Sequence, residues 1–283
     1  MSSIAERRST YAGIQTRELV VAGSEPAVLL LHGFGDSADT WRPVLAQLRE
    51  AGQAAIAVDL PGFGQAAALD AGELLPQLDR FVVAAVRAHA GTTGVVVVGN
   101  SLGGAAVVRA ARNRDLPVRA VMALGIAGIA WRGPTASLGA LTAALRILSA
   151  MPIPGLAHRA VLRWSLSRLL YGDQSAIDRE VVARFVDNYP SASATYRSVR
   201  LGAMFKAELD RTGHHGGIRS PLVVLHGARD SLVPVSASRI LHEANPGSRL
   251  IVIETAGHCP QLDAPAIVAY HARQLAVSST AEA

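Results

Sequence analysis

Four short apolar runs, at 28–31, 54–58, 95–98 and 118–124, recur through the first 128 residues, each bounded by Gly, Pro or polar residues. Runs of this length without polar alternation are the pattern of strands covered on both faces. Between them, 40–51, 73–89 and 102–113 carry apolar residues at helical spacing, and 14–21 adds a strand at the start. Strand and helix in alternation predict an α/β chain, with a mostly parallel central sheet and helices on both of its faces.

After 130 the rhythm changes. No run from 130 to 215 reads as a strand, and helices are predicted at 135–150, 156–171, 175–189 and 191–211. Pro152 and Pro154 separate the first two, Gly172 and Asp173 close the second, and Ser175 with Asp178 has the form of a capping box opening the third. Beyond the Gly-rich 214–217 the alternation resumes, with strands at 222–226 and 250–253 and helices at 236–244 and 264–275. The expected organisation is a core in two segments, 1–129 and 216–283, carrying an all-helical cap or lid over 130–215.

Composition narrows the class. With 283 residues, half of them apolar, the chain can bury a sizeable core and is not a globally disordered one. Cys259 is its one cysteine, which excludes an internal disulfide. No stretch reaches the roughly 18 apolar residues of a membrane span, and 1–8 lacks the apolar run of a signal peptide, so a cytoplasmic location is expected. The net charge of +5 invites a polyanionic partner. Yet 26 of the 27 basic residues are Arg, in an Ala-rich chain that reads as the product of a GC-biased gene. Eleven basic and six acidic residues lie between 129 and 215, a surplus equal to that of the whole chain. The charge therefore belongs to the helical insertion; nucleic acid drops out, and an anionic substrate or surface stays open.

Chemistry concentrates at Gly99-Asn100-Ser101-Leu102-Gly103-Gly104, directly after the apolar run 95–98 and directly before an Ala/Val-rich helix. A tight strand-to-helix turn needs small residues around a serine held above the sheet, and the helix start behind it offers free N–H groups. Without a base the same sequence would be a small-residue turn and nothing more. Serine is a weak nucleophile until a base takes its proton, so a histidine and an orienting carboxylate are sought. The late strands supply them: 222–226 runs into Asp230, and 250–253 into His258.

With the order Ser101, Asp230, His258, the chain resembles an α/β-hydrolase-fold enzyme over about 14–275. His32-Gly33-Phe34-Gly35 resembles that family's oxyanion loop, Asp59-Leu60-Pro61-Gly62 its strand-end turn, and Gly257-His258-Cys259-Pro260 its histidine loop. The resemblance implies Ser101 as nucleophile, His258 as base, Asp230 as its orienting acid, and the backbone N–H groups of Phe34 and Leu102 as the oxyanion hole. His32 reads as a residue holding its own loop, Asp59 as structural with a role as the acid kept open, and Asp263 as a helix-start carboxylate. Asn100, Trp131, Leu145, Trp164, Val233 and Cys259 are the substrate-contact candidates. His214-His215 has no ligand partner at metal spacing, and neither metal nor cofactor is expected.

Serine at the elbow, where epoxide and halide relatives carry Asp, implies hydrolysis of an ester, thioester or lactone of a small to medium hydrophobic substrate. Asn100 before the serine also resembles the elbow of carbon–carbon bond hydrolases acting on ring-cleavage products. Against that stand Cys259, where those enzymes usually have Trp, and Phe34-Gly35-Asp36, where they usually have a G-P-G loop. A non-catalytic binding protein on the same fold is the third reading. The apolar insertion with basic flanks also admits a membrane-surface lid as the less favoured arrangement, and the oligomeric state is left open.

Overall fold

The four valines at 95–98 sit at the centre of the sheet, buried on both faces as an unbroken apolar run requires. The structure is a computed structural model that describes residues 4–133, 136–151, 153–175, 177–212 and 216–277. Its eight strands are β1 (Ala5–Tyr11), β2 (Ile14–Val21), β3 (Ser24–Leu31), β4 (Gln53–Val58), β5 (Val95–Asn100), β6 (Val118–Leu124), β7 (Leu222–Gly227) and β8 (Arg249–Ile253). They lie in the order β1-β2-β4-β3-β5-β6-β7-β8. From β4 to β8 every pairing is parallel, while β1 and β2 form an antiparallel hairpin against β4.

Successive side chains of a strand point to opposite faces, so each apolar run feeds two layers. Leu29, Leu31, Val95 and Val97 face one side, packing with α2 (Leu74–His89) and α3 (Leu102–Ala111) through Leu78, Phe81 and Val107. Val28, Leu30, Val96 and Val98 face the other, against α1 (Arg42–Glu50) and a C-terminal helix, Pro265–Val277, through Trp41, Leu45 and Val268.

The first strand departs from expectation. Residues 5–10 are polar and mostly exposed, so no apolar signal marks β1; register with β2 makes it a strand. It is fastened by Glu18, whose buried carboxylate accepts from Tyr11 and from Arg7 Nε and lies 3.1 Å from His89 Nε2.

Among the described residues, four α-helices stand between β6 and β7: α4 (Leu138–Ser149), α5 (Gly155–Leu170), α6 (Arg179–Asp187) and α7 (Ala192–Thr212). The third starts later than the capping-box reading of Ser175 requires. Ser175 donates its hydroxyl to Asp173 Oδ1 at 2.6 Å, and Asp178 caps α6 by accepting from the N–H groups of Glu180 and Val181. Thr135, Pro152, His214 and His215 lie outside the described residues. α7 reaches the sheet, where its Phe205 and Leu209 join the α2/α3 layer. Beside them the Glu208 carboxylate accepts from the N–H groups of Leu74 and Leu75 at 2.8–3.0 Å, supplying a side-chain cap to the α2 N-terminus from across the fold.

Candidate active site

Ser101 closes β5 and opens α3 with φ 53° and ψ −111°, a conformation that L-residues rarely adopt. The flanking glycines explain how the chain makes the turn. A Cβ on Gly99 would lie 2.2 Å from the carbonyl oxygen of Gly103, and one on Gly103 would lie 2.3 Å from that of Leu31. Strand, turn and helix are thus in backbone contact, and side chains at these two positions would force them apart. The loop after β3 approaches equally closely, since a Cβ on Gly33 would be 3.3 Å from the Ser101 Cβ. As the first residue of α3, Leu102 has an N–H with no partner within the helix.

His32 orients that β3 loop from within. Fully buried, it bonds the Gly33 carbonyl through Nδ1 at 2.7 Å and accepts from the N–H of Leu60 at Nε2, 2.8 Å away, while burial lowers its pKa. Asp59 is also structural. It accepts from Arg17 Nε at 2.9 Å and from the N–H groups of Ala38 and Gln65, with no histidine among these partners.

Past β7, the Asp230 carboxylate is buried. Its Oδ1 accepts from the N–H groups of Leu232 and Val233, and its Oδ2 accepts from His258 Nδ1 at 2.8 Å. Burial alone would raise this pKa; His258 and the Val233 N–H outweigh it and hold the group ionised below the ordinary carboxylate range. With Nδ1–H committed to Asp230, the lone pair of the imidazole lies on Nε2. A second buried histidine, His226, stands 3.4 Å from Asp230 Oδ2 and bonds Ser238 and the Val233 carbonyl, and burial lowers its pKa.

Asn100 is buried, and its amide joins the two loops. Nδ2 donates to the carbonyl of His258 at 2.9 Å, and Oδ1 accepts from Gln261 Nε2 at 3.3 Å. Its hydrogen-bond partners are protein groups, and its side chain has no open face. The same holds for Cys259, buried among Tyr171, Val182 and Leu262, and for Val233, buried with its N–H on Asp230 and its carbonyl on His226. Trp131 is half-buried, its Nε1 bonded to Asp210 at 2.7 Å beneath Lys206. Leu145 is half-buried on α4, and Trp164 is 62% exposed on the outer side of α5. Asp263 ends a short helix, Pro260–Asp263, instead of starting one, and accepts from the N–H groups of Gly257 and Gly172.

The sequence reading missed how the insertion grips the β3 loop. Asn188 Nδ2 and the Tyr189 hydroxyl both donate to the Gly35 carbonyl at 3.2 Å, and the Phe34 ring packs edge-on to Phe63 and Phe205. Nothing local in the sequence marks either residue.

A family profile described as "alpha/beta hydrolase fold" matches residues 26–265. The chain belongs to the α/β-hydrolase fold family. Among curated relatives, a putative carbamate hydrolase RutD of Variovorax paradoxus is 30% identical over 248 residues, covering 85% of this chain and 88% of that protein. A pimeloyl-[acyl-carrier protein] methyl ester esterase of Vibrio vulnificus is 26% identical, covering 86% and 91%. Among solved structures, the 2-hydroxy-6-oxo-6-phenylhexa-2,4-dienoate hydrolase of a Rhodococcus strain superposes with a TM-score of 0.77 at 25% identity, covering 96% and 98%. The α/β hydrolase is thus similar both to esterases and to a carbon–carbon bond hydrolase. No helix among its described residues is long and apolar enough to cross a membrane.

Proposed function

We propose that this α/β hydrolase is a serine esterase acting on a small to medium hydrophobic carboxylic ester through an acyl-enzyme. The observation that carries the reading is the 2.8 Å bond between His258 Nδ1 and an ionised Asp230, with the strained elbow of Ser101 joined to the His258 backbone through the Asn100 amide. In this scheme Ser101 attacks the carbonyl carbon as His258 Nε2 takes the hydroxyl proton, and the N–H groups of Leu102 and Phe34 receive the oxyanion. His258 then gives its proton to the leaving alcohol. Water, deprotonated by the same imidazole, releases the acid and regenerates Ser101. The chemistry calls on side chains and backbone alone.

Similarity to an ester-cleaving relative and Cys259 after the histidine favour the ester. The second reading, hydrolysis of a carbon–carbon bond in a ring-cleavage product, draws support from the Rhodococcus structure and from Asn100 at the elbow. A fluorophosphonate probe tests the nucleophile: the wild type is expected to label and Ser101→Ala to stay unlabelled. Equal labelling of the two overturns Ser101 as the nucleophile, and no labelling of the wild type overturns the serine mechanism and points to a non-catalytic protein. Nitrophenyl esters compared with a dienone acid rank the two substrates, and efficient turnover of the acid alone puts the carbon–carbon bond ahead of the ester.

A further inference from the structure

α5 carries apolar side chains both toward the core and toward solvent, and the end of α4 before it carries more. Inward, Leu162, Leu166 and Leu170 of α5 pack beside Tyr171 and Phe185. Outward, Leu156 is 86% exposed, Val161 63% and Trp164 62%, with Ile147 at 70% and Met151 at 56% on the neighbouring turn. Adjoining exposed apolar side chains mark a contact surface. Leu156, Ala160 and Trp164 stand four residues apart and so form one row along α5.

Charge identifies what covers it. Residues 138–170 include Arg146, Arg159, Arg163 and Arg168 and not one Asp or Glu. Arg159 is paired with Asp187, but Arg163 and Arg168 have no carboxylate partner among the described residues, and Arg168 lies over the Trp164 ring at 4.8 Å. Beside Arg163 opens a recess of about 460 Å³ lined also by Ser167, Gln174, Ser175 and Arg179, again without an acidic group. A second copy docked by a two-fold axis would set arginine against arginine. A protein partner needs roughly one hydrogen bond per 100–200 Å². The exposed residues Ala140, Ala143, Ala144, Ile147 and Leu148 of α4 have no side chain able to form one.

We infer that the exposed face of α5, with the end of α4 that precedes it, docks on an anionic lipid surface. Its apolar row enters the boundary between headgroups and acyl chains, Trp164 sits at that boundary, and Arg163 and Arg168 meet lipid phosphates. The inference does not depend on the bond the enzyme cleaves.

Co-sedimentation of the full chain tests it, with vesicles of phosphatidylcholine alone and of phosphatidylcholine mixed with phosphatidylglycerol. Partitioning is expected on the mixed vesicles, weakening as salt is added, with a blue shift of tryptophan emission that Trp164→Phe removes. Each interfacial arginine contributes about 1 kcal/mol to such binding, so Arg163→Ala with Arg168→Ala should weaken it about thirtyfold. Leu156→Ser with Val161→Ser should abolish it, while both double variants keep the wild-type rate on a soluble short-chain ester. Failure of the wild type to partition, or undiminished partitioning of both double variants, overturns the inference. So does a dimer that Leu156→Ser dissociates, or binding to polyglutamate in place of vesicles, outcomes that assign the face to a second copy or to an acidic protein.

Discussion

Replacing Asn100 with Ala separates two accounts of the residue before the nucleophile. In the structure its side chain touches no open space; it bonds the carbonyl of His258 at 2.9 Å and Gln261 Nε2 at 3.3 Å, with both residues buried. Removing the amide deletes its bonds to the carbonyls of His258 and Leu124 and the bond from Gln261 Nε2, about 1 kcal/mol each; Gln261 keeps Thr40 and the Leu124 carbonyl keeps the Ser101 N–H, so only the stranded His258 carbonyl adds about 1 kcal/mol more, for a total of about 4 kcal/mol. In a chain of this size such a loss lowers Tm by roughly 7 °C. The His258 backbone also loses its tie to the elbow, and a displacement of about 1 Å at a reacting group costs about a hundredfold in rate. Asn100→Ala is therefore expected to lower kcat by a similar factor for acetyl, butyryl and hexanoyl esters, with KM little changed. Thermal unfolding by circular dichroism and steady-state kinetics on the three esters give the answer. An unchanged Tm together with a KM that rises with acyl length would refute the reasoning and make Asn100 a substrate contact.

Three further outcomes follow from the geometry. Ser101→Gly should be more stable than Ser101→Ala by about 1–2 kcal/mol in urea unfolding, because glycine alone adopts φ 53°, ψ −111° without strain; equal midpoints would remove the strain. Burial would raise Glu18, but hydrogen bonds from His89, Tyr11 and Arg7 outweigh it and bring its pKa to about 2. A folded pKa below the unfolded value of about 4.5 means stability that is full above that value and is lost as pH falls through 2, about 3 kcal/mol in all. Glu18→Gln should flatten this part of the acid unfolding profile, and an unaltered slope would count against it. Tyr189→Phe should cost several-fold in kcat, and Asn188→Ala with Tyr189→Phe more than tenfold, if the Gly35 carbonyl positions the Phe34 N–H; an unchanged kcat in the double variant would detach the insertion from the oxyanion loop.

How far the sequence could be read depended on how local each signal was. The strand–elbow–helix unit at 95–111 was legible because four consecutive valines, two close-packing glycines and an Ala-rich helix are all adjacent in the chain. β1 was not, since a polar edge strand owes its form to register with β2 and to a single buried carboxylate. At 175–179 two capping side chains competed, and Asp173 took the Ser175 hydroxyl, leaving Asp178 to start the helix. Asp230 and His258 were visible as polar residues at the ends of buried strands. The partners of Asn100 were not, because they lie about 160 residues downstream. The grip of Asn188 and Tyr189 on Gly35 spans a similar distance and leaves no local trace.

The bolt between Asn100 and the loop at 258–261 also sets a timetable. A ribosome delivers the elbow long before it delivers the histidine and the residues that fasten it. Until those emerge, the nascent polypeptide holds the proposed nucleophile without its proposed base. The last two strands, β7 and β8, then add beside β6, at the edge of a sheet already begun.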